Sequence, residues 1–161
     1  MQKKKRILVV VDAPGPAEFI ESVIPLLKKK AEVLLVTVNT PTNAPYNILK
    51  KYAPVKCDHE IEAEKIYKDF QPDVLAVATS SLLLGPYVNS RFTELAHAQG
   101  KKIICFQDFW ANHRHAMNFK MMKYWDKILV PDELAKRYVK EDGYEGEIIV
   151  TGNPSFDRFK N

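Results

Sequence analysis

The segment EGEIIVTGNPSFDRFK, residues 145–160, decides how the rest of the chain is interpreted. A short apolar run ends at Val150, the residues Thr-Gly-Asn-Pro follow, and a stretch rich in Phe and Asp comes last. Apolar β-branched runs bounded by turn formers are typical of buried strands in parallel sheets. The segment predicts that a parallel-sheet domain ends at Gly152, and that residues 153–161 are a linker or the start of a helix toward a second domain.

Short apolar runs alternate with helix-like segments along the rest of the chain. This alternation indicates βαβ units, so we predict an α/β fold: a doubly wound, mainly parallel sheet of about seven strands with helices on both faces, over residues 1–152. The predicted strands are 7–11, 33–38, 55–57, 74–78, 102–106, 127–130 and 147–150, and the predicted helices are 17–30, 46–52, 58–70, 85–99, 117–124 and 133–141.

Single residues predict how several of these helices begin, bend or end. Pro25 lies inside the first helix and predicts a kink. Asp58 and Asp132 each precede a helix and are predicted N-caps. Gly100 is predicted to end the helix before it.

Composition limits the class of protein. The length of 161 residues corresponds to one domain with a sizeable core. The formal net charge of +4 suits an anionic partner such as a nucleotide, a phospholipid surface or an acidic glycan. Peripheral membrane association therefore stays open, as does the alternative that the charge serves only solubility, and we expect no nucleic-acid partner.

The two cysteines and the apolar runs predict a cytoplasmic protein. Cys57 and Cys105 form no disulfide framework and no metal-site spacing, as expected in a reducing compartment. The run 7–11 is too short for the core of a secretory signal. No apolar stretch approaches the roughly 20 residues that span a bilayer.

Ligands of doubly wound sheets bind beyond the carboxyl ends of the strands, and two predicted loops there carry candidate residues. The first, residues 12–18, has Gly15 for close backbone approach and Glu18 at the start of a helix, but its spacing does not match a dinucleotide or phosphate-loop motif. The alternative is a tight strand-to-helix turn. In the second loop, Ser80 and Ser81 can hold a sugar or phosphate oxygen, or cap backbone groups instead.

The segment QDFWANHRH, residues 107–115, is the richest in reactive side chains. Asp108 is the candidate catalytic residue, as a base or as a group that orients a hydroxyl. Aromatic rings can stack on a sugar or base, and a guanidinium can clamp a phosphate. The alternative is a loop that packs its rings into the core. The candidate ligand-binding residues here are Phe109, Trp110, Asn112, His113 and Arg114.

A metal site is not expected in this segment. His113, His115 and Asp108 are side chains of types that bind metals. The two histidines are two residues apart, however, so both could reach one metal only from an extended backbone. We therefore expect neither a metal nor a cofactor.

Four segments carry a resemblance to a known group of proteins. They are QPDVLAV (71–77), KKIICFQD (101–108), DKILVPDELA (126–135) and IVTGNPSFD (149–157). In order and spacing they resemble the N-terminal Rossmann-like domain of GT-B glycosyltransferases and of the related non-hydrolysing UDP-N-acetylglucosamine 2-epimerases. The resemblance covers residues 6–159 and is clearest from Pro72 onward.

The resemblance implies a divided function. In GT-B proteins the N-terminal domain mostly binds the acceptor and the C-terminal domain binds the nucleotide sugar. It therefore implies an acceptor-binding domain that needs a second, donor-binding domain or subunit and is inactive alone, with Asp108 as the acid/base residue. An epimerase-like half is a less favoured alternative, because Ser80 stands where the epimerases carry an acidic residue and DFWAN (108–112) replaces their Glu-Ala-Gly-Leu-Arg.

Two further alternatives remain open from the sequence. The chain can be a stand-alone Rossmann-type binding module for a nucleotide or an anionic metabolite, which would bind through the same loops without turnover. It can also be an interaction domain that docks a partner protein through Phe109 and Trp110, for which an exposed aromatic patch would be required.

Overall fold

The computed structural model describes residues 4–38, 40–79 and 88–159, and seven parallel strands form one sheet within these residues. The sheet order is β3-β2-β1-β4-β5-β6-β7. β2 and β3 therefore extend the sheet on one side of β1, and β4 to β7 extend it on the other side. This confirms the predicted doubly wound α/β fold. The strands are β1 (Arg6–Val11), β2 (Glu32–Val38), β3 (Val55–Cys57), β4 (Val74–Ala78), β5 (Lys102–Phe106), β6 (Lys127–Val130) and β7 (Glu147–Val150).

Two sets of helices cover opposite faces of the sheet. Helices α1 to α3 contribute buried side chains to the core on one face, and α4 to α7 contribute to the core on the other. The helices are α1 (Pro14–Glu21), α2 (Ile24–Lys30), α3 (Ala44–Leu49), α4 (Glu60–Phe70), α5 (Val88–Ala98), α6 (Ala116–Met121) and α7 (Glu133–Glu141), with short 3-10 helices at Lys50–Tyr52, Asn112–Arg114, Met122–Tyr124 and Pro154–Phe159.

The central strand shows why the sequence folds in this way. β1 pairs with both β2 and β4, and its last four residues are all fully buried, on alternating faces of the sheet. A strand with helices on both sides needs an uninterrupted apolar run, which is the pattern at Leu8–Val11. Fully burying side chains of this kind contributes about 1.5–3 kcal/mol each.

The helix ends agree with some of the single-residue predictions. The kink predicted at Pro25 is a complete break, because α1 ends at Glu21 and α2 begins at Ile24 with the proline in its first turn. Asp132 caps α7 by accepting a hydrogen bond from the Ala135 amide at 2.8 Å. Gly100 follows α5 with a φ of 61°, as a residue that ends a helix commonly does.

The N-cap predicted at Asp58 is wrong. The cap position of α4 is occupied by His59, which has an extended backbone and makes no side-chain cap bond. Asp58 lies one residue earlier, and its amide donates to Glu62 Oε2 at 2.7 Å. The glutamate therefore reaches back to the chain before the helix, whereas the aspartate does not reach forward.

Two predictions concern segments next to residues outside the described ranges. The helix start predicted at residues 85–86 lies outside the described residues, and the described part of that helix begins at Val88. Residues 154–159, predicted as a linker or a helix start, form a 3-10 helix that packs against α1. Among the described residues, no helix has both the length and the apolar character needed to cross a lipid bilayer.

Candidate functional site

A cavity of about 580 Å³ opens where β5, β6 and β7 end. Parallel strands end at the same edge of the sheet, so the loops that follow them come together there. The residues that line it are Asp108, Phe109, Trp110, Pro131, Asp132, Thr151, Gly152, Asn153, Pro154, Phe156 and Asp157.

Asp108 is held in place from both ends of its loop. Its Oδ1 accepts a hydrogen bond from Asn112 Nδ2 at 2.8 Å. Its backbone carbonyl accepts another from Asn153 Nδ2 at 3.2 Å, which ties the segment after β7 to the segment after β5. The preceding Gln107 is fully buried, and its amide donates to the Leu129 carbonyl of β6 at 2.9 Å. The carboxylate is thus positioned by two strand ends.

The loop after β1 also reaches Asp108. A Cβ added to Gly15 would lie 2.0 Å from Asp108 Oδ2 and 3.2 Å from its Cγ. No side chain other than the glycine hydrogen fits between the two segments unless the carboxylate moves. Two of the predicted site residues, Gly15 and Asp108, are therefore in contact.

Burial raises the pKa of Asp108 above the ordinary 3.8, although the hydrogen bond from Asn112 partly opposes this. Desolvation disfavours the charged form of a carboxyl group and shifts its pKa toward neutrality. A carboxyl group with such a shift is better suited to exchange a proton with a bound hydroxyl. The chemistry available to Asp108 is general acid or base catalysis, or orientation of a hydroxyl.

Three aromatic rings are exposed around the cavity. Phe109 and Trp110 are 56% and 42% exposed, with ring centroids 4.8 Å apart, so neither ring is packed into the core. Trp110 Nε1 donates to Asp132 Oδ2 at 2.5 Å, which fixes the indole relative to α7. Phe156 is 62% exposed. Exposed rings with a fixed orientation offer flat surfaces on which a sugar or a base can stack.

Among the described residues that line the cavity, the charged side chains are all acidic. Asp108, Asp132 and Asp157 contribute carboxylates, and no Lys or Arg belongs to this set. Carboxylates accept hydrogen bonds from sugar hydroxyls and repel phosphate groups. The cavity therefore suits a polyhydroxylated, uncharged ligand better than a pyrophosphate.

His113 and Arg114 do not line this cavity. The His113 ring is fully buried, with Nδ1 3.1 Å from Gln107 Oε1 and Nε2 2.8 Å from Asp142 Oδ2. Arg114 Nε donates to the same Asp142 oxygen at 2.5 Å, and its guanidinium lies 4.7 Å from the Tyr138 ring centre. Burial lowers the pKa of His113, which favours the neutral ring. Both residues anchor the loop to the end of α7.

The remaining predicted residues are dispersed. Glu18 is half-buried on α1 and is not among the cavity residues. Ser80 and Ser81 lie outside the described residues. Asn112 acts on the site through its bond to Asp108.

The sequence reasoning did not single out several cavity residues. The sequence predicts Asp132 only as a helix cap, and Asn153 and Phe156 only as part of a linker or the start of a helix. The rule that loops follow the carboxyl ends of strands also applies to the segments after β6 and β7, and it could have identified them. Within residues 4–38, 40–79 and 88–159, no group of three or more His, Cys, Asp and Glu side chains is arranged to hold a metal ion.

Comparisons with solved structures show the fold. A protein from Listeria monocytogenes described as a UDP-N-acetylglucosamine 2-epimerase is similar over 99% of this chain and 48% of its own, with a TM-score of 0.76 and 15% identity. The Neisseria meningitidis UDP-GlcNAc 2-epimerase bound to UDP-GlcNAc is similar over 94% of this chain and 48% of its own, with a TM-score of 0.69 and 15% identity. The lipopolysaccharide outer core galactosyltransferase WaaB is similar over 91% of this chain and 44% of its own, with a TM-score of 0.60 and 14% identity.

The chain thus has the fold of about half of each of these proteins. The resemblance predicted from the sequence is confirmed at the level of the fold. The chain spans about half the length of the structures it matches. No family model and no curated protein matches the sequence. At these identities the comparisons concern architecture alone, since one fold supports many activities.

Proposed function

We propose that this chain is the acceptor-binding half of a GT-B-type glycosyltransferase, which transfers a glycosyl group from a nucleotide sugar together with a second, donor-binding domain or subunit. The observation that carries the proposal is the cavity where β5, β6 and β7 end. It combines one carboxyl group of raised pKa with exposed aromatic rings and has no cationic lining residue in the described set. Residues 1–152 form the acceptor-side domain, and residues 153–161 lead toward the second one.

Each side chain has a defined role in this proposal. Phe109 and Trp110 stack on the acceptor sugar, and Asp132 holds the indole in position. Asp108 accepts the proton of the attacking hydroxyl as the new carbon–oxygen bond forms and the nucleotide leaves with the electron pair of the broken bond. Charge developing on the leaving phosphate has to be stabilised by groups of the other half.

Electrostatics favours the acceptor over the donor as ligand of this half. A nucleotide sugar carries a pyrophosphate, which the three carboxylates of the cavity would repel. Arg114, the predicted phosphate clamp, forms an ion pair with Asp142 instead. A sugar without phosphate meets no such repulsion, and its hydroxyls can donate to the carboxylates.

The test is a titration of the 161-residue chain with an uncharged sugar, methyl N-acetyl-glucosaminide, and separately with UDP-, GDP- and CDP-sugars. We expect the uncharged sugar to quench Trp110 fluorescence at millimolar concentration, and the nucleotide sugars to bind no more tightly. Trp110→Ala should abolish the response, and Asp108→Asn should weaken it. Phe119→Ala removes another exposed ring, one that does not line the cavity, and should change nothing. Tight nucleotide-sugar binding with no effect of Trp110→Ala would contradict the proposal.

A second candidate is an epimerase-like half, favoured by higher TM-scores with the epimerases, 0.76 and 0.69, than with WaaB, 0.60. In this case UDP-N-acetylglucosamine itself would occupy the cavity, with Asp108 exchanging a proton of the sugar ring. The same titration separates the candidates. Binding of the UDP-sugar that Asp108→Asn weakens, without binding of the uncharged sugar, would favour the epimerase-like half, and binding of every nucleotide tested would favour a stand-alone binding module.

We further propose a cytoplasmic location. Cys57 and Cys105 are buried free thiols, which supports a reducing compartment. Lys28–Lys30 form an exposed basic run at the end of α2, which supports peripheral association with an anionic membrane surface.

A further inference from the structure

His113 is fully buried, and both nitrogens of its ring face oxygen atoms. Nδ1 lies 3.1 Å from Gln107 Oε1, and Nε2 lies 2.8 Å from Asp142 Oδ2. An amide oxygen and a carboxylate oxygen accept hydrogen bonds and donate none. Two such partners need an N–H on each ring nitrogen, and only the charged imidazolium carries both. The hydrogen bonds around His113 are therefore complete only when the ring is protonated.

The side-chain amide of Gln107 cannot turn over to relieve this demand. Its Nε2 donates to the Trp110 carbonyl at 2.9 Å, and its Oε1 accepts from the His113 backbone amide at 3.3 Å. A carbonyl only accepts and a backbone amide only donates, so exchanging the oxygen and nitrogen of the side chain would break both bonds. Gln107 is fully buried, so water does not compensate for a lost bond. Its Oε1 stays an acceptor that faces the ring.

The oxygen on the other side of the ring belongs to an ionised carboxylate. Arg114 Nε donates to Asp142 Oδ2 at 2.5 Å, and this bond holds the pKa of Asp142 below its usual value. Burial has the largest effect on His113 and lowers its pKa below 6.5. The Asp142 carboxylate and a backbone hydrogen bond with Tyr138 oppose this effect, and the charge of Arg114 adds to it. The ring is therefore neutral at pH 7 and gains its second proton in mild acid.

We propose that His113 is a positioning residue for the aromatic rings of the cavity, and that its proton determines how tightly the loop 107–113 is tied to the end of β5. A neutral ring keeps its N–H toward the carboxylate of Asp142, which is the stronger acceptor. Its Nδ1 then presents a lone pair to Gln107 Oε1, and this contact no longer holds the loop. The inference rests on the function proposed above, because it concerns the regulation of the same site.

Gln107 connects this change to the cavity. The side chain contacts the His113 ring through Oε1 and the Trp110 carbonyl through Nε2, and Asp108 is the next residue along the chain. When the ring is charged, the amide is held at both ends and fixes the loop between them. We therefore expect acid to favour binding of the acceptor sugar. By linkage, the bound sugar should raise the pKa of His113 to the same degree.

The first test is an NMR titration of the 161-residue chain from pH 8 to pH 4 with nitrogen-labelled imidazole rings and side-chain amides. We expect the His113 ring to carry its proton on Nε2 at pH 8 and to gain one on Nδ1 with a midpoint below 6.5. The side-chain amide of Gln107 and the backbone signals of Trp110 should shift with the same midpoint. A ring that stays neutral to pH 4, or that titrates without these shifts, would overturn the proposal.

Three variants separate the proton on His113 from a merely structural role. Asp142→Asn keeps the shape of the partner but removes its charge, so it should move the midpoint to lower pH. His113→Asn should abolish the shared midpoint of Gln107 and Trp110. His115→Asn is the control, because this second histidine is half-buried and makes no side-chain cap bond to α6. Equal effects of the two histidine variants, or an unchanged midpoint in Asp142→Asn, would contradict the inference.

A sugar titration separates this inference from the proposed function. Methyl N-acetyl-glucosaminide should bind about fivefold more tightly at pH 5 than at pH 7.5, which corresponds to one ordinary hydrogen bond. In His113→Asn this gain should be lost, apart from any part that comes from Asp108. Binding that depends equally on pH in both proteins would overturn the role of His113 and leave the proposed function standing. Shared NMR midpoints without sugar binding at any pH would support the role of His113 in the loop and contradict the proposed function.

Discussion

At the scale of single residues, the contact between Gly15 and Asp108 links two segments that are far apart in the sequence. The missing Cβ leaves the space that the carboxylate occupies. The loop after β1 therefore determines where the candidate acid/base group lies. Neither the length nor the composition of that loop reveals this, because the contact depends on how the two loops meet in the folded chain.

Gly15→Ala should destabilise the protein by about 1–3 kcal/mol, because the added methyl group overlaps the Asp108 carboxylate. Urea denaturation measures the loss. In an Asp108→Ala background the carboxylate is absent, so the same change should cost much less. Equal losses in the two backgrounds would show that the cost comes from the backbone of the loop rather than from Asp108.

Asp108→Asn should stabilise the protein at pH 7, and the gain should shrink as the pH falls through the raised folded pKa and vanish below about 4, the ordinary value of an unfolded aspartate. The pKa of Asp108 is raised by burial, so the unfolded chain releases this proton more readily than the folded one. The stability that the protonated Asp108 contributes is complete below the unfolded pKa, and it declines as the pH rises through the folded pKa. Urea midpoints from pH 3 to pH 8 measure the difference, and a gap that is constant with pH would contradict the assignment.

Asp142→Ala should destabilise the protein by about 2–3 kcal/mol, because it leaves the buried His113 Nε2 without its hydrogen-bond partner. The accompanying loss of the ion pair with Arg114 adds little, since the Arg114 side chain is exposed to solvent. Chemical denaturation is again the measurement. Glu141→Ala is the control, because that neighbour forms a loose, exposed ion pair with Arg137. Similar losses for the two variants would exclude a special role of His113.

At the scale of helices and strands, Asp132 and Asp58 show what a sequence pattern can predict. Each aspartate precedes a helix, and the sequence predicts the same role for both. Asp132 has an extended backbone and accepts the amide of Ala135, whereas His59 takes the cap position that was predicted for Asp58. Prediction of a helix boundary is uncertain by a residue or more, and a cap depends on a single position.

Asp132→Ala should cost about 1 kcal/mol of stability, because the α7 cap is lost. It also removes the acceptor of Trp110 Nε1, so the tryptophan emission should change. Asp58→Ala is the matched control and should have almost no effect on stability. Thermal unfolding with fluorescence detection measures both. If Asp58→Ala is as damaging as Asp132→Ala, the description of the α4 start is wrong.

The strands were predictable because apolar runs of this kind have few alternatives. All seven predicted strands occur, with ends that differ by at most one residue. The site was predictable only in part. The rule on strand ends indicated Asp108, Phe109 and Trp110, but it could not separate them from His113 and Arg114 nearby. Those two are directed toward Asp142 on α7, a partner that only the folded chain brings close.

At the scale of the whole molecule, exposed aromatic rings lie together at the carboxyl edge of the sheet. Phe109, Trp110 and Phe156 surround one cavity, and large exposed apolar patches mark surfaces that bind ligands or partners.

Phe156→Ser should reduce self-association of the chain at high concentration, because it removes the most exposed of these rings without touching the core. Sedimentation velocity at several concentrations measures the effect. Leu26→Ser is the control, since Leu26 is similarly exposed on α2 and is not a cavity residue. If both changes act equally, association depends on total apolar exposure and not on the cavity.

The strand order also determines how the molecule can be assembled while it is being synthesised. β1 is made first but lies at the centre, so its second neighbour, β4, is added only after two strands on the other side. From then on, β5, β6 and β7 extend one edge in the order in which they leave the ribosome. Shortening the gene from its 3′ end should therefore trim the sheet one strand at a time, whereas loss of β1 should remove the centre on which every other strand depends.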